Sequence, residues 1–381
     1  MKRTDFLIGK KIAGTSRVLV IAEIGVNHDG SLLKALKLID AAAECGADAV
    51  KFQTFRTERL MTSSEHRFAQ QADGGESAYE MFQRLELGWD DHEQLKRHAD
   101  EREIVFLSTP FDEESVDFLD QLGVPAFKIA SGDLSHFPLL THVAAKRKPV
   151  LLSTGMSYLN EVGEAVWTLK TSGASEIILL HCVSAYPAPP DSLNLRAIQT
   201  LRDYFDLPVG FSDHSPGTLF PLVAVALGAI VIEKHFTLDR HAEGPDHKLS
   251  LDPAEMSLLI RNLREVDTSL GDGRKRPADI EEENRRLSRR SIVAAVDIRA
   301  HESLSPWMLT CKRPGTGLEP SQLQRVIGMK TRRDIVKDTI LHWQDLMPSV
   351  SYEGIVDHHG IGRRRDEGPS PQPMPEGEGH A

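Results

Sequence analysis

The chain has little cysteine, few aromatic residues and no excess of positive charge. Its three cysteines, Cys45, Cys182 and Cys311, stand far apart, too few and too scattered for a disulfide frame or a thiolate zinc site. A formal net charge of −11 argues against non-specific nucleic-acid binding. The longest apolar run, residues 221–232, is too short to span a bilayer. The start, MKRTDFLIGKK, is basic but lacks the apolar core of a signal peptide. These absences lead us to expect a cytoplasmic protein with neither nucleic acid nor membrane as partner. With 381 residues, 40% of them hydrophobic, the chain is long enough for a large core and an additional module.

What the sequence does have is a repeating unit. Residues 18–22 are a continuous apolar run, as expected of a strand buried on both faces. Ser31 can cap the helix that follows, whose apolar residues recur at helical spacing until Gly46 closes it. The same unit returns with strands at 49–53, 104–107, 126–129, 150–152 and 177–180. A long polar insertion, about 54–75, follows the second strand, and Asp90 with Glu93 reads as a capping box before the third. The last two strands flank an apolar helix at about 218–227, inside the stretch GFSDHSPGTLFPLVAVALGAIVIEKH. A final amphipathic helix covers 253–270. Strands alternating with helices predict a parallel sheet, and eight such units match a (β/α)8 barrel. An open doubly wound sheet is the rival, but no glycine fingerprint follows the first strand.

The character then changes. Residues 1–16 read as a lead-in, 17–270 as the barrel and the charged stretch 271–290 as a linker. Residues 291–347 carry short β-like runs and turn signals, as a small separate module would. From 348 to 381 the chain is polar and rich in Pro and Gly, which predicts a disordered tail.

Barrel chemistry sits where the strands end. Here those ends supply Glu23, Lys51, Gln53, Thr109, Lys128, Ser131, Ser153, Tyr186, Ser212, His214 and His235. Lys51 and Gln53 share a face because side chains alternate along a strand. His214 and His235 emerge on the same rim, either as hydrogen-bonded loop residues or as ligands of a divalent metal. A lysine inside an apolar parallel strand must meet an anion. For Lys51 and Lys128 that anion is either a neighbouring carboxylate or the phosphate or carboxylate of a ligand. Together these residues suit metal-assisted chemistry on a phosphorylated small molecule, without naming the reaction.

The motifs IAEIGVNHDGS, VKFQT, FLSTPFD, FKIASGD, STGM, GFSDH, EKHFTLD and GPDHKLSL, with CKRPGTG in the small module, resemble the sialic acid synthase family over about residues 17–347. The resemblance implies a TIM barrel followed by an antifreeze-like SAF domain of β-clip type. It implies condensation of phosphoenolpyruvate with an open-chain N-acyl amino sugar and water, N-acetylmannosamine giving N-acetylneuraminate being the name case. Manganese or magnesium is the implied cofactor, with His214 and His235 as its ligands. Lys51, Thr109, Lys128, Ser131, Ser153 and Ser212 match positions that contact phosphoenolpyruvate. Glu23, Gln53, Tyr186 and Asp246 match sugar-side positions, and Glu23 is also an acid–base candidate. Arg313 matches an arginine that reaches the sugar's acyl group across a domain-swapped homodimer.

One departure stands out. Many sialate-type members read Thr-Asn-Leu-Tyr-Pro where this chain has Val183-Ser184-Ala185-Tyr186-Pro187, so a 2,4-diacetamido-6-deoxy sugar, as used for legionaminate or pseudaminate, is an alternative substrate. Two readings of another kind are a metal-independent Schiff-base aldolase and a non-catalytic protein whose small module binds carbohydrate or ice. The intact barrel motifs speak against the last.

Overall fold

The computed structural model describes residues 6–14, 17–62 and 77–347. They form two compact units that divide between Gly273 and Arg274. In the first, a hairpin of β1 (Phe6–Ile8) and β2 (Lys11–Ala13) precedes eight parallel strands. These are β3 (Leu19–Gly25), β4 (Ala49–Thr54), β5 (Val105–Pro110), β6 (Phe127–Ile129), β7 (Val150–Ser153), β8 (Ile177–Cys182), β9 (Val209–Asp213) and β10 (Val231–His235). The strand order is β5-β4-β3-β10-β9-β8-β7-β6. The first barrel strand pairs with the last, Leu19 with Val231 through Glu23 with His235, and β5 and β6, which end the order without a ladder between them, lie side by side, so the sheet curls into a (β/α)8 barrel of TIM type.

Helices separate the strands: α1 (Leu32–Glu44), α2 (Thr57–Leu60), α3 (Ala78–Leu85), α4 (Trp89–Glu101), α5 (Glu113–Gln121), α6 (Phe137–Ala145), α7 (Leu159–Ser172), α8 (Ala197–Phe205), α9 (Leu219–Ala226) and α10 (Pro253–Leu270). Ser31 caps α1 as expected, accepting from the Lys34 amide. The cap of α4 differs from expectation. Gly88 is the capping residue, and the carboxylate of Asp91, not Glu93, accepts its N–H at 3.1 Å. The expected insertion after the second strand carries α2, residues 63–76 within it lying outside the described part. Among the described residues no helix is long and apolar enough to cross a membrane.

Alternation along the strands sorts side chains into two cores. Val20, Ala22, Phe52, Phe106 and Ile232 point outward to the helices. Leu19, Ile21, Ala49, Leu107, Ala126, Leu151, Ile178, Leu180 and Val231 fill the barrel interior. The hairpin adds Ile8 and Ala13 to that interior cluster, so the lead-in closes the end of the barrel where the strands begin. Gly210 belongs to the same layer. A Cβ there would lie 2.6 Å from both Leu180 Cδ2 and the Val231 carbonyl, so only glycine leaves room for its neighbours.

The second unit has its own apolar cluster around Ile292, Ile298, Leu304, Val326, Ile335 and Leu341. Strands β11 (Ser291–Ala294) and β12 (Leu309–Lys312) pair antiparallel, as do β13 (Lys330–Thr331) and β14 (Leu346–Met347). The stretch expected as a linker holds a further helix, α11 (Glu282–Ser288), with no buried side chain. The Arg286 carbonyl accepts the Gly315 N–H at 2.8 Å, which ties this stretch to the module behind it. The tail from 348 onward lies outside the described residues.

The outward face also carries a charge pair. Lys234 Nζ lies 2.6 Å from Asp213 Oδ2, both side chains fully buried. Lys234→Met would leave Asp213 as an uncompensated buried charge, so the barrel should lose about 3–5 kcal/mol in denaturant unfolding. A loss below about 1 kcal/mol would show that Asp213 finds another counter-charge.

Candidate active site

Beyond the apolar interior layer, the next inward-facing positions are Glu23, Lys51, Lys128, Ser153, Cys182, Ser212 and Glu233. They open into a cavity of about 570 Å³ at the carboxyl ends of the strands. It is lined by every barrel residue singled out from the sequence: Glu23, Lys51, Gln53, Thr109, Lys128, Ser131, Ser153, Tyr186, Ser212, His214, His235 and Asp246. Arg313 is not among the lining residues; it is exposed in the second unit, directly after β12.

Four buried charges form the floor. Lys51 Nζ lies 2.8 Å from Glu23 Oε2 and donates to Thr109 Oγ1 at 3.0 Å. Lys128 Nζ donates to Ser153 Oγ at 2.7 Å and to the Ile129 carbonyl at 3.1 Å, and stands 3.7 Å from Glu233 Oε1. Ser212 donates its hydroxyl to the same Glu233 oxygen at 3.0 Å. Both lysines therefore meet carboxylates, and the hydroxyls around them complete two anion cradles.

The two carboxylates differ in their protonation. Burial pushes Glu23 up to about 7 against the pull of Lys51, and the charge of Glu233 adds to the rise. Glu233 is equally buried, yet Lys128 and Lys51 hold it below the usual range. Two nearby carboxylates with affinities pushed apart are suited to one proton-transfer role and one permanently ionised role. Burial likewise lowers Lys128, whereas Glu23 and Glu233 outweigh burial at Lys51 and raise it.

The two imidazoles lie side by side, ring centroids 5.3 Å apart. His214 Nδ1 donates to the Val183 carbonyl at 2.9 Å, so its Nε2 offers a lone pair when the ring is neutral; burial lowers this imidazole, but contact with Cys182 outweighs it and raises the ring above its ordinary value. His235 Nδ1 is buried without a hydrogen bond, 3.6 Å from Asp246 Oδ2. Burial, then the neighbouring His214, depresses His235 well below its ordinary value, so it is a neutral ring. Two adjacent imidazoles, with lone pairs available once both are neutral, fit one divalent ion at bonds of roughly 2 Å. Among the described residues no cluster of three His, Cys, Asp or Glu has metal-site geometry, so a bound ion would keep open positions. Tyr186 packs against both rings, 4.2 Å from His214 and edge-on at 6.1 Å from His235.

Some cavity residues escaped the sequence reading as site residues. Glu233 is the foremost. The signal was present, since a residue two before His235 on a strand shares its face. Cys182 faces the cavity by the same alternation from Leu180. Ser184 also lines it. One wall, from Leu60, Met61, Met81, Phe82 and Phe111, is apolar, and it belongs to a small cluster outside the main core. They are scattered over α2, α3 and the segment after β5, outside the strand-end positions that the repeating unit marks.

Asp246 completes a polar group with Glu23 and Gln53. Its carboxylate, Glu23 Oε1 and Gln53 Nε2 all lie within 3.5 Å of the Cβ position that Gly25 lacks. Gly25 has φ +55°, so the missing side chain gives both the turn and the space. Burial raises Asp246 to about 6, opposed by His214 and Lys51.

Comparison with known proteins agrees with this geometry. The model of the NeuB family matches residues 38–275, and that of the SAF domain matches residues 289–347. The chain is 44% identical over 346 residues to the N,N'-diacetyllegionaminic acid synthase of Legionella pneumophila, covering 89% of this chain and 97% of the relative. It is 35% identical over 356 residues to human N-acetylneuraminate-9-phosphate synthase, covering 92% and 96%. The crystal structure of N-acetylneuraminic acid synthetase from Leptospira borgpetersenii superposes with a TM-score of 0.68 at 36% identity, covering 74% of this chain and 95% of that one. With its barrel matched by the family model and full-length relatives at these identities, the chain belongs to the NeuB family and carries a SAF domain after its barrel.

Proposed function

We propose that this protein condenses phosphoenolpyruvate with the open-chain aldehyde of an N-acyl amino sugar and water, giving a nine-carbon 2-keto acid and inorganic phosphate. The observation that carries this reading is the meeting of two buried lysines, two carboxylates of unlike proton affinity and two adjacent imidazoles in one cavity. Lys128 with Ser131, Ser153 and Ser212, and Lys51 with Thr109, hold the phosphate and carboxylate and orient carbon 3 of phosphoenolpyruvate toward the aldehyde carbon. A carbon–carbon bond forms there and the aldehyde oxygen takes a proton. Carbon 2 is left electron-poor, water adds to it, and phosphate departs with carbon–oxygen cleavage. Glu23, held near neutral affinity beside Gln53, moves the proton at the sugar oxygen. His214 and His235 would hold a manganese or magnesium ion, which supplies Lewis-acid polarisation of the aldehyde when bound.

For the sugar, two observations favour a 2,4-diacetamido-6-deoxy substrate over N-acetylmannosamine. The legionaminic acid synthase is the more similar of the two relatives, 44% against 35% identical. The wall of Met61, Met81, Phe82 and Phe111 also accommodates a methyl group better than a hydroxymethyl, which would leave water for an apolar surface. Incubation with phosphoenolpyruvate and a panel of amino sugars, read by product mass, tests both levels. Product from the diacetamido-6-deoxy sugar in preference to N-acetylmannosamine, lost with a chelator, is expected. Preference for N-acetylmannosamine would reverse the sugar assignment, and no product from any sugar would remove the reaction.

The cradles give a second expected outcome. Lys51→Met and Lys128→Met each remove a charge-assisted contact, so the phosphoenolpyruvate KM should rise on the order of ten- to a hundredfold with the sugar KM much less affected. An unchanged phosphoenolpyruvate KM in both variants would take the lysines out of the anion site.

We further propose that the protein is a domain-swapped homodimer in which Arg313 completes the partner's site. Arg313→Ala and His235→Ala are each expected to be inactive alone. Mixed under subunit exchange, they place both lesions in one site of a mixed dimer and none in the other, so activity returns. Exchange without recovery would confine Arg313 to its own chain.

A further inference from the structure

Asp246 lies on the loop between β10 and α10, and what fixes its carboxylate is found outside the cavity. At its base this loop is tied by main-chain bonds, Leu251 N–H to the His235 carbonyl at 2.8 Å and Thr237 N–H to the Leu251 carbonyl at 3.0 Å. Higher up it is held by side chains of the β3–α1 loop. Asn27 Nδ2 donates to the Phe236 carbonyl and to Ser250 Oγ, both at 2.9 Å. Ser250 in turn donates its hydroxyl to the Asp246 carbonyl at 2.6 Å. His247, fully buried, bridges Thr237 Oγ1 at 2.7 Å and Asp29 Oδ1 at 3.1 Å. An ionised carboxylate only accepts, so His247 Nε2 carries the proton that bonds Asp29. Asp29 is anchored from behind by its ion pair with Lys34 of α1.

Two features mark this network as more than loop packing. Asn27 Oδ1 is buried with no hydrogen bond, a cost an apolar residue would avoid. The chain before Asp246 is bent tightly over the imidazole, a Cβ on Gly244 (φ +154°) falling 2.7 Å from His247 Cδ2. Both features are retained where the outcome is the placement of one carboxylate against Gln53, Glu23 and His235.

We propose that Asn27, Asp29 and His247 are positioning residues for sugar binding, a clamp that holds Asp246 in the cavity while none of the three lines it. This rests on the reading above that Asp246 meets the sugar. In the full-length enzyme, KM for the sugar that is turned over and KM for phosphoenolpyruvate are measured separately for Asp246→Ala, His247→Leu, the double variant, Asp29→Ala and Asp29→Asn. Asp246→Ala and His247→Leu are each expected to raise the sugar KM about tenfold or more with the phosphoenolpyruvate KM within about twofold. The double variant should be no worse than Asp246→Ala, because His247 acts only through that carboxylate. Asp29→Ala should reproduce the sugar effect and Asp29→Asn, whose amide oxygen still accepts from His247, should restore it; this pair decides the matter if His247→Leu does not fold. An unchanged sugar KM in His247→Leu and Asp29→Ala, a full additional factor in the double variant, or an equal rise in both KM values would overturn the clamp. An unchanged sugar KM in Asp246→Ala would instead sink the assignment of Asp246 itself, and the clamp with it.

Discussion

Four ionisable side chains buried inside one barrel are the constraint on which the site depends. Taking a carboxylate or an ammonium out of water costs several kcal/mol even after relaxation, and here Glu23, Lys51, Lys128 and Glu233 are all nearly fully buried. The arrangement survives because each lysine meets a carboxylate and at least one hydroxyl or carbonyl. The pairs are unequal. Lys51 contacts its carboxylate at 2.8 Å, while Lys128 stands 3.7 Å from Glu233, whose other oxygen is buried without a hydrogen bond. Lys128 thus has the weaker internal partner and the better-placed hydroxyl, Ser153, which is what a site needs if an incoming phosphate or carboxylate is to displace Glu233 from its cation.

Why the charges sit at this depth follows from the strands. Each barrel strand begins with an apolar inward residue and ends with a polar one: Leu19, Ile21 then Glu23; Ala49 then Lys51; Leu151 then Ser153; Val231 then Glu233 and His235. The apolar layer, sealed by Ile8 and Ala13 of the hairpin, keeps water from reaching the charges from below. Low local dielectric strengthens the ion pairs and is also what separates the proton affinities of Glu23 and Glu233. The outward Lys234–Asp213 pair shows the other use of the same stretch, stability instead of chemistry.

Much of this was legible in the sequence, because parallel strands buried on both faces leave continuous apolar runs and put chemistry at their ends. The barrel, the shared face of Lys51 and Gln53 and the common rim of His214 and His235 all follow from period and direction. Glu233 was legible in principle, by counting back two from His235, and was obscured by Lys234 between them. The lead-in reads as β-like, but its hairpin pairing was not legible, since three-residue strands carry no periodic signal. Nor was the α4 cap, where a backbone conformation at Gly88 decided the start that Asp90 suggested by composition. The clamp was beyond reach because Asn27 meets its partners 209 and 223 residues later, and such pairings leave no local pattern.

The same contrast runs through the cavity. Residues on ladder-bonded strands are fixed by neighbours on both sides, so the anion cradles and imidazoles are set by the barrel itself. The rest of the cavity is built beyond the strands: Tyr186 and Ser184 after β8, the apolar wall on and beside α2 and α3 and after β5, and Asp246 after β10. A loop residue must be held by something other than a ladder if its carboxylate is to stay within a fraction of an ångström of a productive position. Buried polar side chains from a neighbouring loop provide that hold at the expense of an unsatisfied Asn27 oxygen. This part of the cavity can therefore be reshaped through loop contacts and their supports, while the charged interior of the barrel stays in place.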